Sequence, residues 1–173
     1  EASLRKNGME HLADSFLYAS GRLQTLCYKM DIEASLRTPG MAGFQLLGLN
    51  DFPGQGTALV GVLDPFWEEK GYVDGKEFSS FCSQTVPLIR FPKMVWMNKE
   101  TLKAPLEIAH FGTEPIQQAE LEWKVATADG KLLKQESLSV SVPLGNAVQI
   151  GEISLDLSEI KEASKLVVSA GIK

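Results

Sequence analysis

The sequence has 173 residues, of which 44% are hydrophobic, 23% charged and 8% aromatic, values close to the averages of soluble globular proteins. No apolar run approaches the roughly 18 to 20 residues that a membrane-spanning helix requires, and no basic segment followed by a hydrophobic stretch opens the sequence as in a signal peptide. The net charge of -5, without a basic cluster, argues against a nucleic-acid partner.

The first predicted element is a long helix over residues 8–37. Apolar residues recur at spacings of three and four, and four of them lie seven residues apart on one face, which we name the apolar stripe: Met9, Phe16, Leu23 and Met30. The helix should end before Thr38-Pro39-Gly40, because proline disfavours helical geometry in the residue before it. Gly21 interrupts the helix at a cost of about 1 kcal/mol relative to alanine, which indicates close packing against a neighbouring element.

A buried strand and a second helix are predicted next. The run from Phe44 to Leu49 is almost continuously apolar, a pattern typical of a parallel strand covered on both faces. A glycine-rich connection over residues 52–61 follows, and a shorter helical stretch lies near Lys76 to Thr85. Helix, buried strand, loop and helix in this order indicate an α/β unit.

After Val86-Pro87 the pattern changes to alternation of apolar and polar residues. Short alternating segments recur about every ten residues and are separated by turn signals, which predicts an antiparallel β-sandwich of the immunoglobulin-like kind. The alternating apolar positions include Leu121, Trp123, Val125, Leu138, Val140, Val142, Ile153, Leu155 and Leu157. We place the domain boundary near residues 87–92, which gives two domains, residues 1–90 and residues 91–173.

The ends of the sequence and the lone strand indicate a piece of a larger protein. Residue 1 is a glutamate in an apparently helical segment, and an apolar run reaches Ile172, whereas natural domains usually end in polar, frayed residues. A single parallel strand would leave its hydrogen-bonding edges bare. We therefore expect a fragment whose sandwich is truncated at its C-terminus, and a homodimer formed through exposed strand edges.

No residue pattern predicts a metal site or a catalytic nucleophile. The two histidines, His11 and His110, are far apart in sequence and lack a ligand spacing such as His-Glu-x-x-His, so solvated or structural roles are expected. Cys27 and Cys82 lie beside apolar neighbours, which favours buried free thiols. A disulfide between them stays open for an exported protein.

The glycine-rich loop lacks both the Gly-Lys-Ser/Thr ending of a phosphate-binding loop and the G-x-G-x-x-G spacing of a dinucleotide site. It nevertheless places Asn50, Asp51, Phe52 and Gln55 after the predicted strand, at the edge where α/β barrels hold their active sites. A ligand-facing role for these residues and a purely structural role for the loop are equally open.

A series of short segments within residues 8–90 carries a resemblance to a known family. They are Leu23-Gln24, Cys27-Tyr28-Lys29, Ile32-Glu33-Ala34, Leu36-Arg37-Thr38-Pro39-Gly40, Gly43-Phe44-Gln45-Leu46-Leu47, the run from Asp51 to Gly61, and Leu63-Asp64-Pro65-Phe66-Trp67. Together they resemble the end of the catalytic barrel in bacterial proteins of glycoside hydrolase family 2, which are β-galactosidase- or β-glucuronidase-like enzymes of polysaccharide-degrading bacteria.

The resemblance implies an α+β fragment: the helix-strand-helix tail of a (β/α)8 barrel followed by an immunoglobulin-like antiparallel β-sandwich. Residues 8–37 would be the seventh barrel helix, residues 43–50 the eighth strand, and residues 76–85 part of the last helix. The sandwich that follows the barrel in such proteins fits residues 91–173 by architecture more than by motif.

The activity implied is that of a retaining glycoside hydrolase acting on β-linked oligo- or polysaccharides. Retention requires two carboxylates about 5 to 5.5 Å apart, and no residue of this sequence matches the two family glutamates, so no catalytic residue is assigned in this chain. The resemblance makes Asn50, Asp51, Phe52 and Gln55 candidate substrate-binding residues that would line the sugar subsite, where an aromatic platform with amides and carboxylates is favoured. No metal or cofactor is expected. The partners would be a carbohydrate substrate and the rest of the parent chain, and the parent protein would be periplasmic or secreted.

Two other interpretations stay open. In the first, the chain is a non-catalytic β-sandwich binding or spacer module with a helical extension, in which Trp96, Trp123 and Phe111 form an aromatic platform. Tryptophans that alternate along a sandwich strand are more often core residues. In the second, the chain is a self-contained α+β protein.

Overall fold

The computed structural model describes residues 2–55 and 59–173 as a mixed α+β chain. The chain divides into two compact units. The first comprises Glu1–Ser35 and Ala42–Ser83, and the second Leu36–Met41 and Gln84–Lys173. Among the described helices, none is at once long and apolar enough to cross a membrane.

The long N-terminal helix is confirmed, with a later start than predicted. Helix α1 covers Ala2–Lys6 and helix α2 covers Ala13–Arg37. Between them Gly8 has a φ of 67° and a 3-10 turn covers Glu10–Leu12, so the backbone leaves helical geometry at the glycine that tolerates it best. Helix α2 ends directly before Thr38-Pro39-Gly40, as predicted.

The buried face of α2 lies opposite its apolar stripe. Gly21, Thr25 and Ile32 are buried, whereas Phe16, Leu23 and Met30 are 47%, 62% and 70% exposed. A Cβ placed on Gly21 would lie closer than 3.0 Å to the ring of Tyr72. The predicted close packing at this glycine is therefore confirmed, and Tyr72 is the neighbour.

The predicted strand over residues 43–50 does not form. Residues 41–49 are irregular, Phe44 is 42% and Leu47 93% exposed, and Asn50 alone makes an isolated parallel bridge, with Leu63. An apolar run becomes a strand only where neighbouring strands accept its backbone hydrogen bonds, and the described residues supply a single bridge.

The second predicted helix is shorter than expected. Helix α3 covers Gly75–Ser79, and the side chain of Asp74 caps it by accepting a hydrogen bond from Glu77 N at 2.6 Å. The prediction of helix up to Thr85 was wrong, because Thr85 begins a strand that pairs with a later one.

The second unit consists of six antiparallel strands in two sheets. The strands are β1 Thr85–Ile89, β2 Thr101–His110, β3 Ile116–Thr127, β4 Leu132–Val142, β5 Gly145–Asp156 and β6 Leu166–Ile172. One sheet has the order β1-β2-β5 and the other β4-β3-β6. The predicted antiparallel alternating strands are thereby confirmed.

The core of the second unit draws on both sheets, as in a β-sandwich. Its fully buried members come from β2, β3 and β5 and from the turn after β5: Leu102, Ala104, Leu106, Leu121, Trp123, Val125, Ile153 and Leu157. Along β3 these apolar residues alternate with Glu122 and Lys124, which the pleat directs to the other face. Because β1 pairs with β2, this unit begins at Gln84, slightly before the boundary predicted near residues 87–92.

Candidate functional site

The candidate substrate-binding residues lie where three stretches of chain meet in the first unit. Leu63 makes a parallel bridge to Asn50 and an antiparallel bridge to Glu69. Asp51 N donates to Leu63 O at 3.0 Å, and Leu63 N donates to Leu49 O at 3.1 Å. This short ribbon is the common base of two loops: one leaves it after Asp51 and returns before Leu63, and the other comprises residues 64–68.

Asp51 closes the base of the first loop. It is 4% exposed, and its Oδ1 accepts hydrogen bonds from Gly61 N at 2.9 Å and from Lys70 Nζ at 2.7 Å. Lys70 Nζ also donates to Gly61 O at 2.8 Å. A Cβ on Gly61 would overlap the backbone of Asn50, so only glycine permits this approach.

The other three predicted residues lie close to Asp51 along the chain. Asn50 is half-buried, and its Nδ2 donates to Asp51 O at 3.1 Å. Phe52 is 58% exposed and its ring lies over Gly54. Gln55 ends the 3-10 turn Pro53–Gln55, and residues 56–58 of the predicted glycine-rich connection lie outside the described residues. The structure thus brings Asn50, Asp51 and Phe52 together and leaves the ring of Phe52 accessible.

The second loop is fixed by the side chain and backbone of Asp64. Its Oδ1 accepts hydrogen bonds from the N–H groups of Phe66 at 2.8 Å and Glu68 at 2.9 Å. Its carbonyl accepts from Trp67 N at 3.1 Å, and its own N–H donates to Glu68 O at 2.9 Å. A five-residue loop with these four hydrogen bonds has one strongly preferred conformation.

That conformation presents two adjacent aromatic residues to solvent. Phe66 is 82% and Trp67 63% exposed. Trp67 has a φ of 69°, in the left-handed region that is costly for a bulky side chain, by roughly 1 to 2 kcal/mol. Strain of this kind persists where the surroundings over-determine the backbone, and it concentrates at functional sites.

Phe66 and Trp67 are not among the site residues that the sequence predicts. A local signal for their exposure exists: Asp64 followed by Pro65 is a turn-forming pair whose carboxylate accepts backbone N–H groups further along the chain. The positive φ of Trp67 has no comparable signal, since tryptophan rarely adopts it.

A network of polar contacts ties this region to α2. The hydroxyl of Tyr72 lies 2.8 Å from Gln24 Oε1 and 3.1 Å from Gly61 O. Burial, with the charges of Asp51 and Tyr28 as further causes, raises the pKa of Tyr72. The phenol therefore keeps its proton at physiological pH, and this single O–H lies between two acceptors, Gln24 Oε1 and Gly61 O.

An ion pair forms the second contact with α2. Arg22 and Glu77 make two hydrogen bonds of 2.8 Å each, and Arg22 Nη1 also donates to Tyr72 O at 2.7 Å. The hydrogen bonds from Arg22 lower the pKa of the Glu77 carboxyl. Both groups are thus ionised over the neutral range, in the bidentate geometry that makes arginine–carboxylate pairs strong.

The histidines have the solvated and structural placements that the sequence suggested. His11 is exposed. His110 is buried in β2, with Nδ1 2.7 Å from Thr85 Oγ1 and Nε2 3.0 Å from Glu114 O. Within residues 2–55 and 59–173, no three His, Cys, Asp or Glu side chains are grouped so that they could hold a metal ion.

Both cysteines are free thiols. The expectation that they are buried was wrong for Cys27, which is exposed because it lies beside the apolar stripe of α2 rather than on its buried face. Cys82 is half-buried, and burial raises the pKa of its thiol.

The three aromatic residues of the alternative platform are not equivalent. Trp123 is completely buried in the sandwich core, Trp96 is half-buried against that core, and Phe111 is 47% exposed. The interpretation of Trp123 as a core residue is therefore confirmed, and it offers no surface to a ligand.

One region of the chain matches a known protein family. Residues 100–173 match a domain of unknown function, DUF8488. This range contains strands β2 to β6. The chain matches no curated protein.

Proposed function

We propose that this chain is part of a retaining glycoside hydrolase of the family 2 type, which cleaves O-glycosidic bonds of β-linked oligo- or polysaccharides with glutamates outside this chain. In this proposal the residues before β1 are the tail of a (β/α)8 barrel, and strands β1 to β6 belong to an immunoglobulin-like sandwich. The segments that resemble the family, up to Leu63-Asp64-Pro65-Phe66-Trp67, support the assignment.

The observation that carries the proposal is the loop built on Asp64. It exposes Phe66 and holds Trp67 at a φ of 69° from the same ribbon that carries Asn50 and Phe52. Flat aromatic side chains on a fixed loop backbone, beside an amide group, suit the apolar face and hydroxyl rim of a sugar ring. The strained backbone of Trp67 is explained if its ring must face a substrate.

Each residue has a distinct role in the proposed site. Phe52, Phe66 and Trp67 supply ring surfaces, and Asn50 supplies an amide. Asp51 has a positioning role, because its Oδ1 already accepts hydrogen bonds from Gly61 and Lys70. We therefore propose no acid or base function for Asp51.

The apolar stripe of α2 supports the barrel interpretation. Phe16, Leu23 and Met30 are exposed on one side of the helix, and Leu47 is exposed in the segment matched to the eighth strand. Barrel helices bury one apolar stripe against strands, and apolar patches of this kind mark surfaces that contact a partner. We propose that the rest of the parent chain covers them.

The proposal is tested with the purified chain. We expect no release of p-nitrophenol from p-nitrophenyl β-galactoside or β-glucuronide, and we expect calorimetry to detect binding of β-linked oligosaccharides. Trp67→Ala should abolish the measurable heat, whereas Phe111→Ala, which removes an exposed aromatic side chain of the second unit, should leave it unchanged. Turnover by the chain alone, or binding that survives the loss of Trp67, would contradict the proposal.

A further inference from the structure

A cavity of about 730 Å³ lies within the second unit, a size typical of small-molecule sites. Two irregular segments, residues 91–98 and residues 160–165, form its walls. Its floor includes Leu102 and Leu157, which belong to the sandwich core. The cavity therefore joins the apolar interior to the surface.

One wall is unusually apolar for an exposed segment. Trp96 is half-buried in the wall, and its neighbours Met94, Val95 and Met97 are 84%, 79% and 59% exposed. Contiguous exposed apolar side chains mark surfaces that bind something apolar, and methionine side chains adapt to varied ligand shapes.

The charged residues of the lining are mainly cationic: three lysines against one glutamate, Glu162. Lys93 is neutralised, since its Nζ lies 2.6 Å from Glu100 Oε1, and it also lies 4.6 Å from the centre of the Trp96 ring. Within the described part of the chain, Lys161 Nζ donates only to a neutral carbonyl, Ser158 O, at 2.7 Å. The ammonium of Lys165 has no hydrogen-bond or ion-pair partner among the residues that the structure describes.

We propose that this cavity binds a small amphipathic anion, an apolar molecule carrying one acidic group. Its apolar body would pack between Trp96 and Leu157, and its acidic group would lie beside Lys161 and Lys165. Apolar side chains make up most of the lining, which disfavours a sugar, whose hydroxyl groups require many polar partners. This site does not depend on the proposed glycosidase function.

The test uses three amphiphiles that share a chain length and differ in charge: dodecanoate, dodecanol and dodecyltrimethylammonium, each below its micelle concentration. Calorimetry with the full chain should show the tightest binding for dodecanoate and the weakest for the cation. Lys161→Gln with Lys165→Gln should weaken dodecanoate binding roughly tenfold and leave dodecanol binding unchanged.

The matched control is Lys103→Gln with Lys131→Gln, two exposed lysines outside the cavity, which should leave all three affinities unchanged. Met94→Ser with Val95→Ser, at exposed positions where folding is not at stake, should weaken all three. Equal affinity for the three amphiphiles, no dodecanoate binding, or a double Gln variant that binds like the original chain would overturn the proposal.

Discussion

At Gly21 the absence of a side chain decides how α2 packs. Replacing it by alanine should improve helix propensity by about 1 kcal/mol but force a Cβ into the ring of Tyr72, and overpacking of this kind costs about 1 to 3 kcal/mol. Because the single O–H of Tyr72 also lies within hydrogen-bond distance of Gln24 Oε1 and Gly61 O, the ring cannot move away without losing that hydrogen bond. We expect Gly21→Ala to lower the free energy of unfolding, measured by urea denaturation.

The adjacent residue provides the control for this prediction. Ser20 is exposed on α2, so Ser20→Ala should raise the free energy of unfolding by a few tenths of a kcal/mol, about the difference in helix propensity. A stabilising effect of Gly21→Ala similar to that of Ser20→Ala would show that Tyr72 does not limit the approach.

Substitutions of Trp67 distinguish a role of its ring in stability from the proposed role in binding. Asparagine tolerates the left-handed backbone far better than tryptophan, and the 63% exposed ring contributes little burial. Trp67→Asn should therefore leave thermal stability unchanged or raise it by about 1 kcal/mol. Trp67→Ala, which removes the ring but keeps the strain, is the comparison. A loss of more than about 1 kcal/mol in both variants would mean that the ring stabilises the fold.

Residues differ in how much of their role the sequence shows. The need for glycine at position 21 could be predicted, because glycine inside a helix has a cost that close packing explains. The hydrogen bonds that Asp51 accepts could not be predicted, because its partners Gly61 and Lys70 are 10 and 19 residues away. The pair Asp64-Pro65 indicates the turn, but nothing in the sequence indicates the positive φ that Trp67 adopts in it.

At the scale of elements, an ion pair between Arg22 and Glu77 joins α2 to α3, and its contribution to stability depends on pH. Arg22 lowers the pKa of Glu77 below its ordinary value of 4.5. The pair therefore stabilises the fold fully above about pH 4.5, and this contribution is lost as the pH falls through the lower pKa of the folded state. Urea denaturation followed by circular dichroism should show that the original chain exceeds Glu77→Gln in stability at pH 6 and that the difference shrinks towards pH 3.

The other member of the pair supplies the control. In an Arg22→Gln background the carboxylate has lost its partner, so adding Glu77→Gln should change the stability at pH 6 by less than it does in the original chain. A difference between the original chain and Glu77→Gln that stays constant from pH 6 to pH 3 would contradict the assignment of the pH dependence to this pair.

The elements that the sequence predicts well are those whose partners are close or whose pattern is strict. The end of α2 follows from Pro39, and the alternation along β3 follows from its one buried face. Residues 44–49 were predicted as a strand from composition, but strand formation also requires neighbours, and the structure provides one isolated bridge. Strand β1 was missed because its five residues are too few for a clear period.

At the scale of the whole molecule, the sheets have outer strands that could pair with another copy. In the orders β1-β2-β5 and β4-β3-β6, the outer strands pair on one side only within the described residues. We predict dimers through such an edge, detected as a concentration-dependent mass by sedimentation velocity. Val167→Lys on β6, at a 48% exposed position, should reduce dimer formation, because an edge lysine blocks strand pairing.

The alternative interface is the apolar stripe of α2, and Leu23→Lys tests it. Dimers that vanish in Leu23→Lys but persist in Val167→Lys would contradict pairing through strand edges. A single monomeric species over a wide concentration range would contradict self-association altogether.

The carbohydrate site that we propose at the Trp67 loop is tested most directly by NMR of the labelled full chain. On titration with a β-linked tetrasaccharide, the indole N–H signal of Trp67 and the amides of Asn50 and Phe66 should shift in a saturable manner. The indole signals of Trp96 and Trp123 should stay in place, and the sugar should remain uncleaved. Shifts confined to the second unit, no shifts at millimolar sugar, or hydrolysis of the sugar by this chain would contradict the account.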